Sequence, residues 1–195
     1  MIQFYLSNAL SSDLKMHLEE KSEPDFQALQ WYAHRVTIDR RKCVITMERQ
    51  SRYTIVFCGL TKPDFENFPQ IFQERLWREV VSITQPEDDD LHIISDLALD
   101  ISVEHHYQAG TDRSVMAHIN QVAELLEIIV THYGEALPLT DSDAFAFGIR
   151  ANETPRKRKN DKDYFYPIEV FRELWLGMFN IIKKSSSDKT RHTFH

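Results

Sequence analysis

The stretch WYAHRVTIDRRKCVITMERQSRYTIVFC, residues 31–58, decides the fold. Three runs within it, 31–38, 43–48 and 53–58, are rich in β-branched and aromatic residues, the composition that suits a half-buried pleated strand. The links Asp39-Arg40-Arg41-Lys42 and Arg49-Gln50-Ser51-Arg52 are short enough for hairpins, so an antiparallel meander is the simplest arrangement. Closed as four-residue hairpins, they set Ile38 opposite Cys43 and His34 opposite Met47, then Cys43 opposite Cys58 and Ile45 opposite Val56. Alternation divides the side chains between two faces. One carries Tyr32, His34, Val36, Ile38, Cys43, Ile45, Met47, Val56 and Cys58 and reads as core. The other carries Trp31, Arg35, Thr37, Thr46, Glu48, Tyr53, Ile55 and Phe57. Its mix of rings and polar groups suits a partly covered or ligand-facing surface.

Upstream, IQFYL (2–6) is a short strand, and SSDLKMHLEE (11–20) a helix capped by Ser11 or Ser12. Downstream, residues 59–83 read as helix, with Thr61 as cap, Pro63 early and Pro69 kinking or restarting it. LHIISDLALDI (91–101) is ambiguous, and DISVEHHYQ (100–108) alternates as a strand does. Residues 109–134 form the clearest helix: Val115, Ile119, Val122, Leu126, Ile129 and Tyr133 recur at steps of three and four, and Thr111 or Asp112 caps it. Residues 135–166 look loop-rich. A last helix from Pro167 puts Phe171, Leu174, Trp175, Met178, Phe179 and Ile182 on one face. The expected fold is α+β, an antiparallel sheet of four to five strands packed against three to four helices. Residues 1–134 would form its core, 135–184 an extension on the same domain, and 185–195 a flexible tail.

The chain has 195 residues, 42% of them apolar, enough for one generous core. No apolar run approaches the roughly 18 residues of a membrane span, and the N-terminus lacks a signal-peptide pattern. A cytoplasmic protein without membrane contact is expected. Thirty acidic residues against 23 basic ones disfavour a wholly basic nucleic-acid binder. Base is nonetheless concentrated at 40–42 and in PRKRK (155–159). The second run reads as a solvated loop or a non-specific contact for polyanions. Cys43 and Cys58 are too few for a disulfide framework. They read as two half-buried thiols in a reducing cytosol, with a cross-strand disulfide between them, if oxidised, as the lesser alternative.

The run from Trp31 through Phe65, with its Thr37-Ile38-Asp39-Arg40-Arg41-Lys42 block and the later Asp112-Arg113-Ser114 opening a helix, resembles an uncharacterised bacterial family of unknown function. That family's core reads Trp-His-Ala-Asn, then Thr-Ile-Asn/Asp-Arg-Arg-Lys, and some members occur beside mobile-element genes. The first block here reads Trp31-Tyr32-Ala33-His34, so His34 stands off the family's histidine position. The resemblance spans residues 1 to 130 and implies a fold and a compartment, but no reaction.

Candidate site residues follow from charge and rings. Arg40, Arg41 and Lys42 at the first turn, with Arg35 on the mixed face, can grip a phosphate or carboxylate. Arg113 opens a helix, where backbone N–H groups favour anions. Trp31 and Tyr53 offer stacking surfaces of the sort single-strand nucleic-acid modules use. A metal site is not expected. His105 and His106 point to opposite faces of a strand, and His118 and His132 lie about 21 Å apart along a helix. No Walker loop, Gly-x-Gly-x-x-Gly, His-Glu-x-x-His or Gly-x-Ser-x-Gly occurs, and no cofactor is expected.

The reading this supports is a non-catalytic binding module for an anionic ligand or nucleic acid. Its rival is a hydrolase of unfamiliar type acting on a phosphate or amide bond, drawing its acid or base from Asp39, Glu48, Asp112 or His34. A protein partner or second copy bound through the last helix is a third class.

Overall fold

The computed structural model describes residues 1–15, 18–19, 28–159 and 161–191, of which 185–191 as backbone only. The deciding stretch forms β2 (Leu29–Ile38), β3 (Arg41–Glu48) and β4 (Thr54–Leu60). Asp39 and Arg40 both take left-handed backbone, with φ of 45° and 59°. Two such residues make a turn whose twist matches the flanking strands. The first hairpin is therefore tighter than expected: Ile38 faces Arg41, Val36 faces Cys43 and His34 faces Ile45. This shifts the register by two residues, and an even shift leaves every side chain on its original face. Across the second hairpin Cys43 faces Cys58 and Ile45 faces Val56, as the pattern predicts.

The sheet is mixed, which corrects the antiparallel expectation. Its strand order is β4-β3-β2-β1-β5, with β1 (Ile2–Leu6) and β5 (His105–Ala109). β1 runs parallel to both its neighbours, Phe4 facing Trp31 on one side and Tyr107 on the other. Parallel neighbours need long crossovers, which residues 7–28 and the helices between β4 and β5 supply. β5 starts later than expected, because the preceding residues continue α4 (Asp88–Ser102).

Seven helices occur among the described residues, more than the three to four expected. α1 (Asn8–Leu14) starts early, because Ser7 rather than Ser11 or Ser12 caps it. Residues 16, 17 and 20 of the expected first helix lie outside the described residues. α2 (Lys62–Glu66) ends before Pro69, and α3 (Phe68–Thr84) restarts there. α5 (Arg113–Thr131) is capped by Asp112, whose Oδ1 accepts from Ser114 N at 2.9 Å and Val115 N at 3.3 Å. α6 (Asp141–Asn152) lies in the stretch read as loop, and α7 (Pro167–Arg191) follows it.

The helices cover both faces. α5 lays Val115, Ile119, Val122 and Leu126 over Tyr32, Cys43, Ile45, Met47 and Val56. The mixed face is not open; it is the larger core. Trp31 and Tyr53 are fully buried beneath α3, α4 and α7. Tyr53 stacks on Phe171 with centroids 4.0 Å apart, and Trp31 meets Phe72 edge-on at 5.0 Å. Both rings expected to stack on a ligand are occupied by the protein's own aromatics. Beneath them Tyr53 Oη donates to Glu79 Oε2 at 2.5 Å, and Arg75 Nε to Glu79 Oε1 at 2.7 Å.

Candidate functional site

The first turn leaves Arg40 and Arg41 in solvent. Arg35 and Lys42 both reach Asp13 of α1: Arg35 Nε lies 3.0 Å from Oδ2, and Lys42 Nζ 2.8 Å from Oδ1. Lys42 also sits 5.2 Å above the Phe65 ring. Arg40, Arg41 and Lys42 line a cleft of about 340 Å³ with Lys62 of α2. Arg113 is not part of this group. Its neighbour Asp112 lies beside Arg49, which itself bonds Gln30 near the start of β2. That end is roughly 26 Å of strand from the tip, at about 3.3 Å per residue. Of the expected residues, Arg35, Arg40, Arg41 and Lys42 thus come together, and Arg113 stands apart.

A denser basic cluster occupies Arg113's end of the sheet. Glu48 turns its carboxylate back onto the second hairpin, accepting from Gln50 N at 2.9 Å and from Ser51 N and Oγ at 2.6 Å each. This fixes the turn, and Arg52 follows in left-handed backbone with φ 62°. Its guanidinium crosses to α5: Nη1 donates to Arg49 O at 2.6 Å and Nη2 to Ser114 Oγ at 3.3 Å. Arg49 donates to Gln30 Oε1 at 2.7 Å.

The chain after α6 adds two more arginines. Backbone bonds of 2.8 and 2.9 Å tie Arg156 to Phe165. The Arg156 side chain runs inward and donates to His118 O at 3.3 Å. Arg158 runs the other way, donating to Asp161 Oδ2 at 2.7 Å and to Gln50 O at 2.9 Å, with its plane 4.4 Å above Phe165. Arg49, Arg52 and Arg158 then line a cleft of about 560 Å³, whose other wall is Leu29, Leu174 and Met178.

The electrostatics of this cluster are unbalanced. Arg52 and Arg156 are each only 5% exposed. The hydrogen bonds they make go to neutral oxygens, and among the described residues neither has a carboxylate within ion-pair distance. Glu48 holds its turn and Asp112 its helix cap, and both attract Arg52 without reaching ion-pair distance. Burial, reinforced by Arg52, pulls Arg156 down to about 10. Burial lowers Arg52 too, against the pull of Asp112. The same two arginines act on His118, which burial first of all pushes down to about 4. A buried cation without a partner is costly, several kcal/mol in order of magnitude. An anion beside Arg52 would offset that cost.

The two ends of the charge pattern differ in how legible they were. Arg49, Arg52 and the 155–159 run are visible in the sequence as charge, but not as a site. What separates Arg156 from a solvated loop residue is its inward turn, set by the bridge to Phe165. Of the rival catalytic candidates, Asp39 lies in the tip turn, while Glu48 and Asp112 hold backbone at the second cleft.

A mixed five-stranded sheet between two helical layers, with basic clefts at the strand ends, defines an α+β protein with a candidate anion site. The chain belongs to the family described as Domain of unknown function (DUF6933), which matches residues 3–170. The match extends beyond residue 130 and takes in Arg156 and Arg158. None of the curated proteins matches the chain.

Proposed function

We propose that this protein is a non-catalytic module that binds a phosphate-bearing ligand in the cleft framed by Arg49, Arg52 and Arg158. The observation that carries the reading is the buried guanidinium of Arg52, which lines this cleft with no carboxylate within ion-pair distance among the described residues. Planar guanidinium forks match phosphate oxygens bidentately, and the start of α5 adds a favourable dipole at Ser114. The apolar wall of Leu29, Leu174 and Met178 suits a ligand with a non-polar body behind its charged head. Two free cysteines fit a reducing compartment, and the reading places the module in the cytoplasm.

Calorimetric titration with inorganic pyrophosphate at low salt, beside a chloride control, tests it. Binding is expected to weaken at least tenfold in Arg49→Gln, whose half-exposed side chain can be changed without opening the core, and to weaken further in Arg52→Met. Equal affinity in the wild type and both variants would overturn the reading. A single-stranded oligonucleotide would need the tip as well. If it is the ligand, Arg40→Ala plus Arg41→Ala reduces its binding and the salt dependence of that binding, while pyrophosphate binding stays unchanged.

A further inference from the structure

Cys43 and Cys58 are directly opposite across β3 and β4. Which kind of pair they form follows from the hydrogen bonds of the hairpin. Glu48 N donates to Tyr53 O at 2.8 Å, so that pair is bonded across the ladder. The next residue, Thr54, turns its N–H and C=O outward, to the Asn152 side chain of α6. Along β4 the outward positions alternate as Thr54, Val56 and Cys58. Cys43 and Cys58 are therefore a non-hydrogen-bonded pair, with Cα atoms about 4.5 Å apart and side chains leaning together. That separation falls inside the range a disulfide spans, about 4.4–6.8 Å. The ladder's one irregularity lies at Lys42/Cys43 and leaves this alternation intact.

The two thiols are also chemically paired and unequally reachable. The two sulfurs interact across the ladder, which holds Cys43 low and Cys58 high, and Cys43 Sγ also lies 3.9 Å from Arg41 O. Cys43 is fully buried, whereas Cys58 is half-buried and lines a cleft of about 330 Å³ with Gly59, Arg75 and Leu139. An oxidant entering that cleft meets Cys58 first and finds Cys43 directly behind it.

We infer that Cys43 and Cys58 are a reversible oxidation site, closed by hydrogen peroxide into a cross-strand disulfide. Cys58 first passes its thiol proton to the Cys43 sulfur beside it, and the Cys58 thiolate so formed takes one oxygen from peroxide, the hydroxide released becoming water on protonation. The Cys43 sulfur then attacks the Cys58 sulfenic acid, expelling its hydroxide as a second water. Two thiols lose two hydrogens and two electrons in total, and peroxide is reduced to two waters. The bond fastens β3 to β4 at the end beside Lys42, and the loop it closes contains Arg49 and Arg52.

Native full-length protein treated with stoichiometric peroxide, then denatured and titrated, is expected to go from two free thiols to none. Its intact mass falls by two hydrogens, and dithiothreitol restores both thiols. In Cys43→Ser, Cys58 is expected to accumulate a sulfenic acid that dimedone traps. In Cys58→Ser the buried Cys43 stays a thiol. Persistence of both thiols, addition of oxygens to Cys58 with Cys43 still free, or a disulfide-linked dimer would each overturn the inference. If either serine variant does not fold, the wild-type mass and a non-reducing peptide map decide the matter alone.

Discussion

Arg52, Arg156 and His118 show how one buried residue changes the chemistry of the next. His118 is 8% exposed, and its imidazole falls from 6.5 to about 4, first through burial and then through Arg156 and Arg52. The folded state therefore holds this histidine neutral at pH values where the unfolded chain protonates it. Between about 6.5 and 4 the unfolded state binds more protons, so stability declines as pH falls through that window. The decline amounts to at most about 3 kcal/mol at about 1.4 kcal/mol per pKa unit. His118→Gln is expected to flatten it, as seen by comparing urea midpoints of variant and wild type at several pH values in this window. The composition of this site was legible at residue scale; its burial was not. Arg40 and Arg41 stand out in the sequence as adjacent charges at a turn. Arg52 and Arg156 do not, since nothing local distinguishes an inward arginine from an outward one.

The scale of elements explains what pattern reading found and missed. β2, β3 and β4 were legible because both hairpins are local and their strands alternate in type. β1 was recognised as a strand but not as a parallel one, because its partners join it only across long connections. α6 escaped because its buried face is made of Ala144, Phe147, Gly148 and Ala151, mostly small residues without an apolar stripe. Small residues are what close packing on β4 requires: a Cβ added at Gly148 would lie 3.8 Å from Thr54 O. The Thr140-x-x-Asp143 cap was the available signal, and Asp143 N does donate to Thr140 Oγ1 at 3.1 Å. The same helix closes the sheet edge. Asn152 is fully buried, accepts from Thr54 N at 2.7 Å and donates to Thr54 O at 2.8 Å, standing in for the neighbouring strand. Asn152→Ala removes both bonds and orphans two backbone groups, so a loss of about 2–4 kcal/mol is expected in chemical denaturation. A loss under about 0.5 kcal/mol would mean that water replaces the amide.

For the whole molecule, α7 belongs to the fold. Phe171 and Trp175 are fully buried and Phe179 nearly so, all within the larger core. A chain ended at residue 160 uncovers Trp31, Tyr53 and Phe72 together. Such a chain is expected to lose its near-ultraviolet circular dichroism and its cooperative unfolding, and to bind hydrophobic dye. Retention of a sharp unfolding transition would show that the first 160 residues suffice. No helix of the described residues is long and apolar enough to cross a membrane. The formal charge of −7 leaves the basic clefts as local exceptions on an acidic molecule, so ligand capture there should weaken with ionic strength. Because helices cover both faces of the sheet, the proposed ligand site falls at a strand end, in a hairpin whose Glu48, Ser51 and Arg52 are themselves buried. Architecture and the proposed specificity are thereby coupled: rewriting that end for another ligand also disturbs the bonds that tie the hairpin to α5.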